Sequence, residues 1–84
     1  MTEQEQVDRG AKAQALLSSP IFQEVFADIR EEQVRSFFES RPTQTEEREH
    51  LYRLRLAVDA IEAQLIQYVE LKNNILTEKT FDDE

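Results

Sequence analysis

Along the second half of the chain, apolar residues return at alternating spacings of three and four: Leu51, Leu54, Val58, Ile61, Leu65 and Tyr68, then Lys72 and Ile75. That spacing marks one face of a helix. It predicts a long helix from about Gln44 to Leu76, roughly 50 Å in length at about 1.5 Å per residue. The line is a heptad seam interrupted once, by Lys72. A second apolar line, Tyr52, Leu56, Ala63 and Ile66, runs beside it. The apolar face is therefore wider than contact with a single neighbouring helix requires.

The middle of the chain carries a weaker version of the same pattern. Phe22, Phe26, Ile29 and Phe37 fall on one side of a helix predicted from Pro20 to about Glu39, with Ile21, Val25, Val34 and Phe38 beside them. The stripe has a polar gap between Arg30 and Gln33. Upstream, Ala11 to Leu17 is rich in alanine and predicts a short helix. The polar stretch 1–9 before Gly10 reads as a frayed start.

Punctuation separates these segments. Ser18-Ser19-Pro20 interrupts the first helix, because proline suits a first helical position and disfavours the α conformation in the residue before it. Ser19 is then the expected N-cap. Ser40-Arg41-Pro42-Thr43 ends the second helix, and Thr43 with Glu46 has capping-box spacing, with Thr45 as a rival cap. Glu46, Glu47 and Glu49 sit where a helix N-terminus favours negative charge. Residues 77–84 are polar and end Asp82-Asp83-Glu84, with Phe81 the one anchor, and read as a mobile acidic tail or a short linear binding element.

The architecture expected is all-α: one domain over residues 1–84, a helical hairpin made of a short N-terminal helix, a middle helix and a long C-terminal helix. The middle helix, about 30 Å long at about 1.5 Å per residue, is shorter than the third, so part of the seam needs another partner. With 84 residues, no cysteine and no zinc-binding cluster, the chain lacks the usual supplements to a small core. Self-association that completes a helical bundle is the remaining source of stability. The expected protein interface is Leu51, Leu54, Val58, Ile61, Leu65, Tyr68 and Ile75, centred on Leu54, Val58, Ile61 and Leu65. The heptads select neither oligomer number nor helix orientation.

Charge narrows the function classes. Acidic residues outnumber basic ones by 18 to 10, a net charge of −8, so duplex nucleic acid is repelled by most of the surface. Arg48, Arg53, Arg55 and Lys72 are interleaved with glutamates, the pattern of a solvated face with intrahelical pairs. Met1 to Asp8 lacks the basic start and apolar core of a signal peptide, and no apolar run reaches the roughly 20 residues of a membrane span. Cytosol is the default compartment.

Catalytic chemistry finds little support in the residues. His50 is the sole histidine, and its neighbours Glu46 and Glu47 fit ordinary helix-surface pairing. Glu47 and His50 form one Glu-x-x-His motif, and even a symmetric dimer would supply two, short of a di-iron ligand set. A single glycine excludes the usual phosphate-binding loop. No enzymatic activity, metal or cofactor is expected.

The residues Arg9-Gly10, Ala13, Leu16-Leu17, Pro20, Phe26, Thr45-Glu46, Arg48-Glu49, Leu51 and Leu65 give the chain a family resemblance. It resembles a group of short helical proteins encoded in the virion-assembly gene clusters of tailed bacteriophages. The resemblance implies a virion or head-assembly role in the host cytoplasm, with incorporation in the particle left open, and carries no defined biochemical activity. The expectation is a non-enzymatic accessory protein that oligomerises through its long helix and binds a larger component such as portal, capsid or packaging machinery. The alternatives are a small acidic DNA mimic that inhibits a host nucleic-acid-binding protein, and a packaging factor that contacts DNA directly.

Overall fold

Three helices follow one another in the computed structural model, which describes the backbone of residues 1–82 and the side chains of residues 1–79. They are α1 (Glu3–Leu17), α2 (Pro20–Glu39) and α3 (Thr45–Asp82). The chain is an all-α hairpin: α1 and α2 run end to end along one arm, and α3 returns antiparallel to both. Glu3 pairs with Lys79 at one end, at 3.8 Å, and Ser40 bonds to Arg48 at the other. The molecule measures 62 × 24 × 20 Å. Its long dimension matches a 38-residue α3, roughly 57 Å at about 1.5 Å per residue. No helix among the described residues is long and apolar enough to cross a membrane.

The start of the chain is not frayed. Thr2 caps α1 through a complete capping box: its hydroxyl accepts from the Glu5 amide at 3.1 Å, and the Glu5 carboxylate accepts from the Thr2 amide at 3.3 Å. Two otherwise unsatisfied amides are thereby bonded, so the polar segment before Gly10 is helical and α1 is 15 residues long.

The break between α1 and α2 falls at the predicted place, with different chemistry. Ser19 occupies the N-cap position in extended conformation but its side chain makes no capping bond. Gln23 supplies the side-chain contact instead, donating to the Leu17 carbonyl at 3.0 Å and satisfying an acceptor at the end of α1.

The α2–α3 turn is closed by Gln44 and Arg48, where a threonine cap was expected. The Gln44 side chain accepts from the Arg41 amide at 2.6 Å, and the Gln44 carbonyl accepts the Arg48 amide at 3.1 Å. Arg48 then reaches back to donate to the Ser40 hydroxyl at 2.9 Å and to the Ser40 carbonyl at 3.1 Å. Its guanidinium lies 4.8 Å from the Phe37 ring centre. Arg48 is thus a clasp across the turn rather than part of a solvated face.

At the other end, residues 77–82 continue α3, correcting the expectation of a tail beginning at Thr77. Asp83 and Glu84 lie outside the described residues, as does the side chain of Phe81.

The main packing contact is α1 against the C-terminal half of α3. Gly10 and Ala13 are buried there, Ala13 with 4% of its surface exposed. Small residues let the two backbones approach closely. Lys72, which interrupts the heptad seam, donates to the Gln14 side chain across this contact, and the Arg9 guanidinium lies 3.9 Å from the Tyr68 ring centre. The α1 helix therefore covers the part of α3 that α2 is too short to reach. Along its length, α3 is thus covered within the chain, and the part beyond α2 needs no separate partner.

Width is another matter. A compact chain of this length has a radius of gyration of about 12 Å, whereas this hairpin has 18.1 Å. A folded monomer of this mass exposes about 5200 Å²; this one exposes 6543 Å². Two arms one helix thick cannot enclose a core, and no large apolar side chain among the described residues is fully buried.

Candidate protein-interaction site

The seven residues expected at the interface separate into two sets. Leu51, Val58, Leu65, Tyr68 and Ile75 are half-buried within the hairpin. Leu54 and Ile61 are exposed, at 42% and 54%. The heptad line thus serves mainly the contact of α3 with α2 and α1, and its flank is left open.

Most of the exposed apolar residues of α2 and α3 fall on the two edges of the hairpin, and ion pairs identify which is which. On the first edge Arg30 of α2 reaches Glu62 and Asp59 of α3, at 3.0 and 3.7 Å. Nearer the turn, this edge opens into a cleft of about 190 Å³ lined by Val34, Phe37, Phe38, Leu51, Tyr52 and Arg55, with Gln33 beside them. Phe38 is 80% exposed at its rim. The Gln33 side-chain oxygen is shielded from solvent and accepts no hydrogen bond among the described residues.

The opposite edge follows from helix phase, at about 100° per residue. On α3, Leu54 and Ile61 each stand two positions beyond Tyr52 and Asp59, roughly 160° around the helix. On α2, Ile21 and Val25 face away from Arg30 and Val34 by similar angles, with Ile29 adjoining them. All five apolar residues of this second edge are exposed, Ile21 most of all.

Along α3 the two edges differ in charge. The cleft edge carries Arg30, Arg55, Asp59 and Glu62, with Arg55 also paired to Asp59 at 3.2 Å. Along α3 the other edge reads Leu54, Ala57, Ile61, Gln64 and Leu71, all exposed, with the half-buried Tyr68 and Ile75 on its border, again at alternating spacings of three and four and without one charged residue on α3. In a chain of net charge −8 such an uninterrupted neutral line stands out. Sequence reading missed it because Ala57 and Gln64 are weak hydrophobic markers, and because Leu54 and Ile61 fit the neighbouring line equally well. The usable signal was the absence of charge.

His50 is exposed on α3. Arg53 pairs within its helix with Glu49 at 3.9 Å, the pattern expected of a solvated face. The second line of the sequence reading, Tyr52, Leu56, Ala63 and Ile66, is exposed throughout. The hairpin thus offers flat apolar edges and a shallow cleft near the turn, geometry suited to contact with proteins. Compared with known proteins, the chain matches no family model, no curated relative and no solved structure.

Proposed function

We propose that this chain is a non-enzymatic assembly protein that self-associates through its long helix and docks onto a larger structural protein. The setting implied by its resemblance to short helical phage proteins is the virion, where portal, capsid or packaging machinery would be the larger component. One observation carries the reading: apolar side chains stand exposed along both edges of a hairpin that has no interior to receive them. Exposed apolar surface of this extent marks protein contact sites.

The two edges suit two contacts. The neutral edge fits self-association. The cleft edge, with Phe38 and Tyr52 beside Arg55, has the aromatic and arginine content typical of residues that dominate binding to a different protein. The acidic DNA-mimic reading gains little, because Arg30, Arg35 and Arg55 pair with carboxylates and interrupt the negative rows.

The test is co-expression with each portal, capsid and packaging subunit encoded in the same gene cluster, comparing wild type with Phe38→Asp. Recovery of one such subunit with wild type and its loss with the variant is the expected result. Recovery of none of them, together with specific capture of a host nucleic-acid-binding protein, would replace this reading with the mimic.

A further inference from the structure

We infer that the neutral edge is covered by a second copy of this chain, with the two α3 helices antiparallel about a twofold axis between Ile61 and Gln64. This deepens the proposal of self-association through the long helix, and it names the face and the orientation.

Area argues for a copy of the chain itself. The hairpin exposes 6543 Å². That is roughly 1300 Å² more than a folded monomer of its mass should expose, while a stable interface needs only about 800 Å² from each partner. A single twofold contact along one edge could absorb most of the excess. It would also turn two open hairpins into an arrangement four helices in cross-section, with an interior.

Charge argues the same way. Two chains of net charge −8 repel wherever their acidic faces meet. The α3 residues of the line from Leu54 to Ile75 are uncharged, so α3 can meet its own copy there without opposing acidic side chains of its own, the one charge beside the line being the Arg9 guanidinium over Tyr68.

The order of residues sets the orientation. In an antiparallel pair centred between positions 61 and 64, Leu54 meets Leu71, the small Ala57 meets the large Tyr68, and Ile61 meets Gln64. The large Tyr68 is thereby set against the small Ala57, while the remaining pairs join side chains of similar size, so bulk is spread evenly along the contact. A parallel pair would set Tyr68 against Tyr68 and leave Ala57 facing Ala57. It would also bring together two helix N-termini that each carry Glu46 and Glu47. The antiparallel pair separates those acidic ends and opposes the helix dipoles.

The experiment combines solution mass with directed crosslinking. Light scattering after size exclusion should give twice the 9.9 kDa of one chain. Ile61→Asp should weaken the dimer roughly 100-fold or more, because each interface then buries unpaired charge. Its helical circular dichroism should be unchanged, because Ile61 is exposed in the single hairpin. The chain has no cysteine, so Leu54→Cys and Leu71→Cys each introduce the sole thiol. When the two variants are mixed and oxidised, the expected product is the 54–71 disulfide between different chains.

Predominant 54–54 and 71–71 disulfides would overturn the antiparallel arrangement while leaving self-association standing. A dimer indifferent to Ile61→Asp would overturn the choice of face. A monomer at every concentration would overturn the inference together with self-association. Docking to a larger component, read separately from the Phe38→Asp comparison, would be untouched.

Discussion

Gly10 of α1 lies so close to Tyr68 of α3 that a Cβ placed on it would stand 2.6 Å from the Tyr68 carbonyl oxygen and collide with the Lys72 side chain at its Cβ. The first obstacle is backbone, which cannot swing aside, and the second is the root of a side chain. The only glycine in the sequence thus marks a close approach of the two arms.

In an open helix, replacing glycine by alanine would add about 1 kcal/mol of stability. At Gly10 the sign should reverse, since overpacking of a close contact costs about 1 to 3 kcal/mol and the helices must separate to admit the methyl group. Gly10→Ala is expected to lower the midpoint of urea unfolding. A higher midpoint would mean that α1 and α3 are not held this tightly.

The clasp at the turn gives a second expectation. Arg48 makes two hydrogen bonds to Ser40 and lies over Phe37. Arg48→Met keeps the aliphatic stem and removes both bonds, so a loss of about 1 to 2 kcal/mol is expected from equilibrium unfolding. Arg48→Lys should recover only part of it, because an ammonium cannot reproduce the planar fork of a guanidinium.

Capping of the first helix can be tested alone. Thr2→Ala removes the hydroxyl that accepts the Glu5 amide. It should cost about 1 kcal/mol. The loss should be visible as faster amide hydrogen exchange in the first turn of α1, with the turn end of α3 around Leu51, which packs on α2, unaffected. Uniformly faster exchange would show that α1 opens together with the whole hairpin.

Salt provides a test that needs no mutation. Association of two chains each carrying −8 through a neutral seam is opposed by long-range repulsion, which salt screens. Dimerisation should therefore strengthen as sodium chloride is raised from about 0.01 M, where the Debye length is about 30 Å, to about 0.15 M, where it is about 8 Å. Weakening over the same range would point to ion pairs such as those of Arg30 or Arg55 as the contact, and so to the cleft edge.

Most of the secondary structure was legible in the sequence, because local physics decides it. The alternation of threes and fours from Leu51 to Ile75 allows only a helix, and Ser18-Ser19-Pro20 and Pro42 set the breaks. The errors lie at helix ends. Thr2 and Glu5 formed a capping box in a segment too polar to show a periodic face, and α3 ran past Thr77 after its apolar markers thinned. Polar helices leave little trace in a hydrophobic pattern, since their hydrogen bonds form within the backbone whichever side chains point outward.

What the sequence determined by itself was therefore the helices, their order and the surplus of apolar residues on α3. Which of those residues the hairpin keeps and which it leaves open was decided only in three dimensions. The heptad line from Leu51 to Ile75 could have faced another chain. Close approach at Gly10 and Ala13 instead draws α1 onto the C-terminal half of α3, and the Arg48 clasp ties α2 to its N-terminal half. Both arms take up the same line and leave Leu54 and Ile61 on its flank. The physical reason is that a helix face spans a range of angles, and periodicity fixes its direction only to within a residue or two. The division of that face between the chain and its neighbours depends on where the second arm comes to rest.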